Sequence, residues 1–253
     1  MSTSNPARLP IKEFAEKIRS ESIPLGNSLT YFSAAPSISE DDLKEYIEEP
    51  VAALPPLLAS QLPKTLLLLV PYIERVNGRG HAGGEEFVAW EKPAEAKAVT
   101  SAEMSLKDES VLAFAVSEQH VADFHYTFYR AIAILHSRRA AEDPQLTYYS
   151  MLRDELNAHI HGEVDEDSWR LKQGLLRRQT HVRRDTKPFQ SYARQSLIDT
   201  MTLYLHGICC DIDVETGPRQ LPSRFLRKRL HLLQGAFPPP KGYVVFPEEL
   251  NKE

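Results

Sequence analysis

The chain has 253 residues, 42% of them hydrophobic, and a formal net charge of -5. That length supports one large domain or two small ones, and the apolar share supplies a core and argues against disorder of the whole chain. So small a charge sets up no global field for nucleic acid or a membrane surface, although residues 1–110 are acidic on balance while 170–229 hold most of the arginine clusters.

The strongest apolar run, residues 66–70, is far too short to cross a bilayer, and the N-terminus MSTSNPARLPIKEF has no apolar signal core. Cys209 and Cys210 are adjacent, and adjacent cysteines rarely form a relaxed disulfide, so a soluble protein of the reducing cytoplasm is expected.

Apolar residues at 11, 14, 15 and 18, following Pro10, predict a short amphipathic helix over 11–19. Residues 29–32 suit a brief strand. Ser39 with Asp42 three positions on is a capping pattern for a helix reaching about Glu49. Pro50, Pro55, Pro56 and Pro63 then make 51–62 a turn-rich or short-helical connection. TLLLLVPYIER over 65–75 is the clearest strand, with a bulge or edge expected at Pro71. EFVAWE (86–91) and VLAFAVS (111–117) read as two more strands, and 92–108 as polar connecting sequence. The glycine-rich stretch NGRGHAGG (77–84) lacks the lysine and spacing of a phosphate-cradling loop and reads as a hairpin.

From Val121 the pattern turns helical, with helices expected over 121–139, 144–161, 168–179, 191–210 and 223–235. Pro238, Pro239 and Pro240 end this region, and 243–246 is expected to dock back as a strand or extended tail. The fold class is therefore α+β: a small mixed or antiparallel sheet in the N-terminal half, then a predominantly helical C-terminal half. The chain is expected to be a single domain over 1–253, with a subdivision near residue 118.

The chemistry-bearing residues concentrate in 147–171, TYYSMLRDELNAHIHGEVDEDSWRL. On one continuous helix Glu155, His159 and Glu163 form a stripe, because residues four apart share a face. His159 and His161 point about 200° apart at about 3.6 residues per turn, so both ligate one metal only if the helix breaks, most readily at Gly162. Beyond such a break Asp165 or Asp167 would cap the next helix.

A zinc peptidase would show HExxH on a helix, and that motif is absent. The order of elements around His125 and Tyr129, a helix after a strand, resembles that of a zincin, with Tyr126 and Tyr129 standing where glutamate and histidine would be needed. His125 and His136 lie on or beside an apolar face, where a hydrogen-bonded core histidine is the commoner role. Asp199, His206 and Cys210 recur on one face of DTMTLYLHGICCDIDVE, with Asp211, Asp213 and Glu215 following. Cys209 and Cys210 near His206 could bind a metal, act as an activated thiol, or simply be small core residues.

Two arginine clusters, at 177, 178, 183 and 184 and at 224, 227 and 229 with Lys228, could grip phosphates. Aromatic residues are not interleaved with them, so nucleic acid is disfavoured, and solvated or paired faces are the simpler expectation.

The expectation drawn from these residues is a metal-binding, hydrolase-like protein, in effect a degenerate zincin-like scaffold, with a site between helices. Glu155 and Glu163 would be the catalytic carboxylates. His159, His206, Asp199 and Cys209 would hold zinc or another divalent transition metal, leaving positions open for water. The alternative is a non-catalytic protein-interaction or scaffolding module with no metal, whose acidic and basic faces pair internally, with a protein partner or with another copy.

Overall fold

In the computed structural model of the protein, the described residues are 8–26, 28–36, 38–76, 84–138, 142–177, 185–210 and 219–246. The expected glycine-rich turn, apart from Gly84, lies outside them, as do Arg178, Arg183, Arg184, Asp211, Asp213 and Glu215. The chain forms two compact units, the second comprising Ala53–Gln61 and all residues from Ile132 onward. Strands occupy the N-terminal half and helices the C-terminal half, an α+β arrangement.

The first unit contains β1 (Arg8–Pro10), α1 (Ile11–Ile18), β2 (Ile23–Pro24), β3 (Leu29–Ser33), α2 (Glu40–Leu43) and α3 (Glu49–Ala52). After these come β4 (Thr65–Val70), β5 (Tyr72–Val76), β6 (Glu85–Ala89), β7 (Ala98–Val99), β8 (Ser101–Leu106) and β9 (Glu109–Ala115). One sheet has the order β2-β3-β4-β9-β8, with β3, β4 and β9 parallel and β2 and β8 antiparallel to their neighbours; the other, β1-β6-β5-β7, is antiparallel.

The central strand β4 is buried at every position, as its uninterrupted leucines require for a parallel strand covered on both faces. Leu66, Leu68 and Val70 join Ile11, Phe14, Ala15 and Ile18 of α1 and Ile73 and Val88 of the second sheet in one apolar cluster. On β9, Phe114 meets Phe124 and Phe128, with ring centroids 5.4 and 6.1 Å apart. Pro71 neither bulges nor edges a single strand: it separates β4 from β5, which lie in different sheets. The expectation of connecting sequence over 92–108 is corrected by β7 and β8. In β8, Ala102 and Leu106 are buried while Ser105 is exposed, an alternation that pairs with β9 through six residues.

Ser39 caps α2 with a full capping box, its hydroxyl accepting from the Asp42 amide and the Asp42 carboxylate accepting from the Ser39 amide. The helix continues as a π-helical stretch, Lys44–Glu48, into α3, which contains Pro50. Proline has no N–H, so a carbonyl one turn back loses its intrahelical donor. His125 of α5 (Val121–Ser137) supplies one: its Nε2 lies 2.8 Å from the Glu45 carbonyl oxygen. One turn on, the Tyr129 hydroxyl donates to the Pro50 carbonyl at 3.2 Å. The two residues nearest a zincin pattern thus brace an irregular helix.

The second unit contains α4 (Pro56–Gln61), α6 (Glu142–Asn157), α7 (Glu166–Arg177), α8 (Lys187–Cys209) and α9 (Ser223–Ala236). Thr186 caps α8, accepting from the Phe189 amide, and Pro188 sits in its first turn where no N–H is needed. α8 buries Tyr192, Ser196, Asp199, Thr200 and Tyr204 along with its apolar residues, and the Thr200 and Thr202 hydroxyls donate to carbonyls four residues back at 2.8 Å. His136, buried beside Phe237 with ring centroids 5.1 Å apart, has its pKa lowered by burial. Residues 238–246 form no strand; the chain turns at Pro240–Tyr243 and buries Phe246.

Candidate functional site

α6 does not run on to Gly162. It ends at Asn157, and His159 takes a left-handed φ of 54°. The His159 amide donates to Leu156 O at 3.1 Å and the Ile160 amide to Glu155 O at 3.0 Å, the paired bonds of a Schellman cap with histidine where glycine is usual. The Glu155, His159, Glu163 stripe is therefore not formed: Glu155 faces inward from the last turn, His159 is exposed on the cap, and Glu163 lies beyond it. Gly162 has φ 79°, and a Cβ there would come within 2.1 Å of the Gln220 carbonyl oxygen. The close approach follows from pairing: the Glu163 amide donates to Arg219 O and the Leu221 amide to Glu163 O, both at 3.0 Å.

This pairing sinks the Glu163 side chain among α7, α8 and α9. Arg229 Nη1 donates to Glu163 Oε2 at 2.7 Å and Nη2 to Oε1 at 3.1 Å. The same guanidinium donates from Nη2 to Glu155 Oε2 at 2.6 Å, with Nε 3.2 Å from that oxygen, so one arginine joins both predicted catalytic carboxylates. Lys172 Nζ donates to Glu163 Oε1 at 3.1 Å and to the Gly162 carbonyl at 2.8 Å, and the Tyr192 hydroxyl donates to Glu163 Oε1. The Ser196 hydroxyl completes the shell at 3.3 Å from Oε2, and the Tyr148 hydroxyl lies 2.6 Å from Thr200 Oγ1.

The four charged side chains of this cluster are at most 2% exposed, two acidic and two basic. Burial would raise the Glu163 pKa, but the charges of Arg229 and Lys172 with the donated hydrogen bonds outweigh it and hold the carboxyl at about 2. Burial lowers Lys172 against the pull of Glu163, and raises Tyr192 well above its ordinary value, with the Glu163 charge adding to the rise. Arg229 is held well above its ordinary value: burial works against its charge, but its neighbours, Glu163 among them, prevail.

Among the described residues, the remaining predicted ligands form no group of three close ligand atoms with this cluster's acids. Asp199, 1% exposed, accepts from the Ser168 amide at 3.3 Å and from Gln195 Nε2 at 2.8 Å, so it caps α7 from the side. Asp165 starts that helix, its Oδ1 taking the Glu166 amide. His206 is half-buried, and its carbonyl accepts the Cys210 amide at 2.8 Å. Cys209 and Cys210 are half-buried thiols whose sulfurs lie within 4.8 Å of each other. Among the described residues, His159, His206, Asp199 and Cys209 supply no three ligand atoms within 4.8 Å of one another.

Arg229 and Lys172 are the residues that sequence reasoning missed. Arg229 belongs to a cluster expected to form a solvated or paired face, and it is fully buried and paired with Glu155 and Glu163. The signal was positional: Leu226, Arg229, Leu230 and Leu233 share one helical face, as do Ser168, Lys172 and Leu175. A cation on an apolar face demands a buried anion.

No protein family, curated protein or solved structure matches the chain. No helix among the described residues is long and apolar enough to cross a membrane.

Proposed function

We propose that the protein is a non-catalytic interaction or scaffolding module whose most conspicuous charged residues build its helical unit instead of reacting. The observation that carries this reading is the saturation of Glu163: both oxygens accept bonds from protein groups, in a shell with no exposed face. A general base needs a pKa near the working pH and a path to the proton it takes, and a buried carboxyl held at about 2 offers neither. An ion pair so complete is a common structural device, and removing either partner leaves an uncompensated charge.

A second reading keeps a metal but moves it. The neighbouring sulfurs of Cys209 and Cys210 suit a soft ion such as zinc once deprotonated, in a reducing compartment such as the cytoplasm. Elemental analysis of tag-free protein tests both readings. Substoichiometric metal that is unaffected by Cys209→Ser is the expected result. Stoichiometric zinc lost in Cys209→Ser would favour the second reading, and zinc lost in Glu163→Gln or His159→Ala variants that remain folded would revive the hydrolase and overturn the first.

A further inference from the structure

The first unit carries a cleft lined by none of the residues of the Glu163–Arg229 cluster. It lies at the carboxyl ends of the parallel strands, where the chain leaves β4 and β9 and enters β8. β4 passes at Pro71 into β5 of the other sheet, β7 returns through Thr100 into β8, and β9 passes through residues 116–120 into α5. The departing backbones are tied at their base, the Ala115 amide donating to Thr100 O at 2.9 Å and the Ser117 amide to Pro71 O at 3.1 Å. β5 and β7 stay paired at Ile73 and Val99, and they and the 115–119 segment line a space of about 500 Å³. That size lies in the usual range for small-molecule sites, and carboxyl ends of parallel strands are where such sites gather.

The lining has two parts. Val99 of β7 and Ala115 of β9, both half-buried, supply apolar lining over the buried Ile73, and Tyr72 and Tyr126 line the cleft beside them. At the rim stand Glu118, Asp123 and Lys92, two carboxylates against one ammonium. Glu118 is held at a left-handed φ of 64°, which a side-chain-bearing residue adopts only under constraint. Its carboxylate takes Lys92 Nζ at 2.5 Å, with the Tyr72 hydroxyl at 3.5 Å. Lys92 comes from a surface segment and its side chain is 65% exposed, so it can swing away without disturbing the fold. Its ammonium shows what the Glu118 carboxylate accepts.

We infer that this cleft binds a small organic ammonium ion with an apolar body, the body lying on Val99 and Ala115 and the ammonium replacing that of Lys92 at Glu118, with Asp123 as the second anion. The inference deepens the non-catalytic reading by naming a ligand class for it, and requires no chemistry of the bound molecule.

The test is an amide NMR titration of the full-length ¹⁵N-labelled protein with phenethylammonium chloride and, in parallel, with sodium 3-phenylpropionate, a probe of similar shape and opposite charge. Saturable shifts at Val99, Thr100, Ser117 and Glu118 with the ammonium and not with the carboxylate are expected. Glu118→Gln should weaken binding by about tenfold or more, since a charge-assisted bond is lost. Lys92→Ala should tighten it, because the internal competitor is gone. Equal binding of the carboxylate, absence of saturable shifts, or Lys92→Ala weakening the ammonium would overturn the inference. Those failures leave the scaffolding reading standing, because that reading rests on metal content and on Glu163 in the other unit.

Discussion

Arg229 holds the two oxygens of Glu163 with separate guanidinium nitrogens, at 2.7 and 3.1 Å, and carries Glu155 on the same fork at 2.6 Å. A planar fork of fixed donors is what lets one cation serve two carboxylates approaching from different segments, and lysine, a single rotating point charge, cannot reproduce it.

Arg229→Met should therefore destabilise the protein by about 3–5 kcal/mol, because it strands two buried carboxylates beside Lys172 alone. Arg229→Lys is expected to lose much of the same stability despite keeping the charge. Denaturant unfolding monitored by far-UV circular dichroism measures both. A loss below about 1 kcal/mol in Arg229→Met would mean that the cluster opens to water in solution.

Acid should dismantle the same cluster over a defined window. The Glu163 carboxyl is held at about 2 when folded against 4.5 as its ordinary value. A depressed carboxyl contributes stability that is fully present above the unfolded value and is lost as pH falls through the folded one. The contribution, about 3 kcal/mol from the size of the depression, should disappear between about pH 4.5 and 2. In Glu163→Gln the stability should be lower at neutral pH and its slope across that window flatter than in the wild type.

The cap of α6 gives a pair of opposite expectations. His159→Gly relieves a left-handed residue, so stability should be unchanged or rise by up to about 1 kcal/mol, the gain offset by a more flexible unfolded chain. Gly162→Ala must place a Cβ against the Gln220 carbonyl at a φ of 79°, and should cost roughly 3 kcal/mol or more. Thermal unfolding of the two variants side by side measures the contrast. Unchanged stability in Gly162→Ala would show that the 219–221 segment does not press on the cap.

Why the fold was more legible than the site follows from the same residues. β4 announces itself by composition, Ser39 and Asp42 by spacing, and the C-terminal helices by period, all of which are local. The end of α6 is not local. Gly162 is the residue that looks like a stop, yet it is required by the approach of Gln220, while the helix stops earlier at a histidine that nothing in the pattern marks. A reading by helical spacing therefore puts Glu163 in the Glu155 stripe, whereas tertiary pairing puts it opposite Arg229. Arg229 and Lys172 were visible as cations on apolar faces, but the partner of a buried charge cannot be read from the face that carries it.

His125 supplies the last test, because its role can be separated from its presence. Removing the imidazole in His125→Ala leaves the Glu45 carbonyl without the donor that Pro50 cannot provide, and should cost about 1–3 kcal/mol. Pro50→Ala restores a backbone N–H to the same stretch and offers that carbonyl an intrahelical partner. If the histidine acts as a substitute donor, the two changes are coupled: His125→Ala should cost less in the Pro50→Ala background than in the wild type. A double-mutant cycle of unfolding free energies measures the coupling. Strict additivity would mean that the imidazole contributes other than through this hydrogen bond, its packing against Tyr129 and Phe124, whose ring centroids lie 6.4 and 6.1 Å away, included.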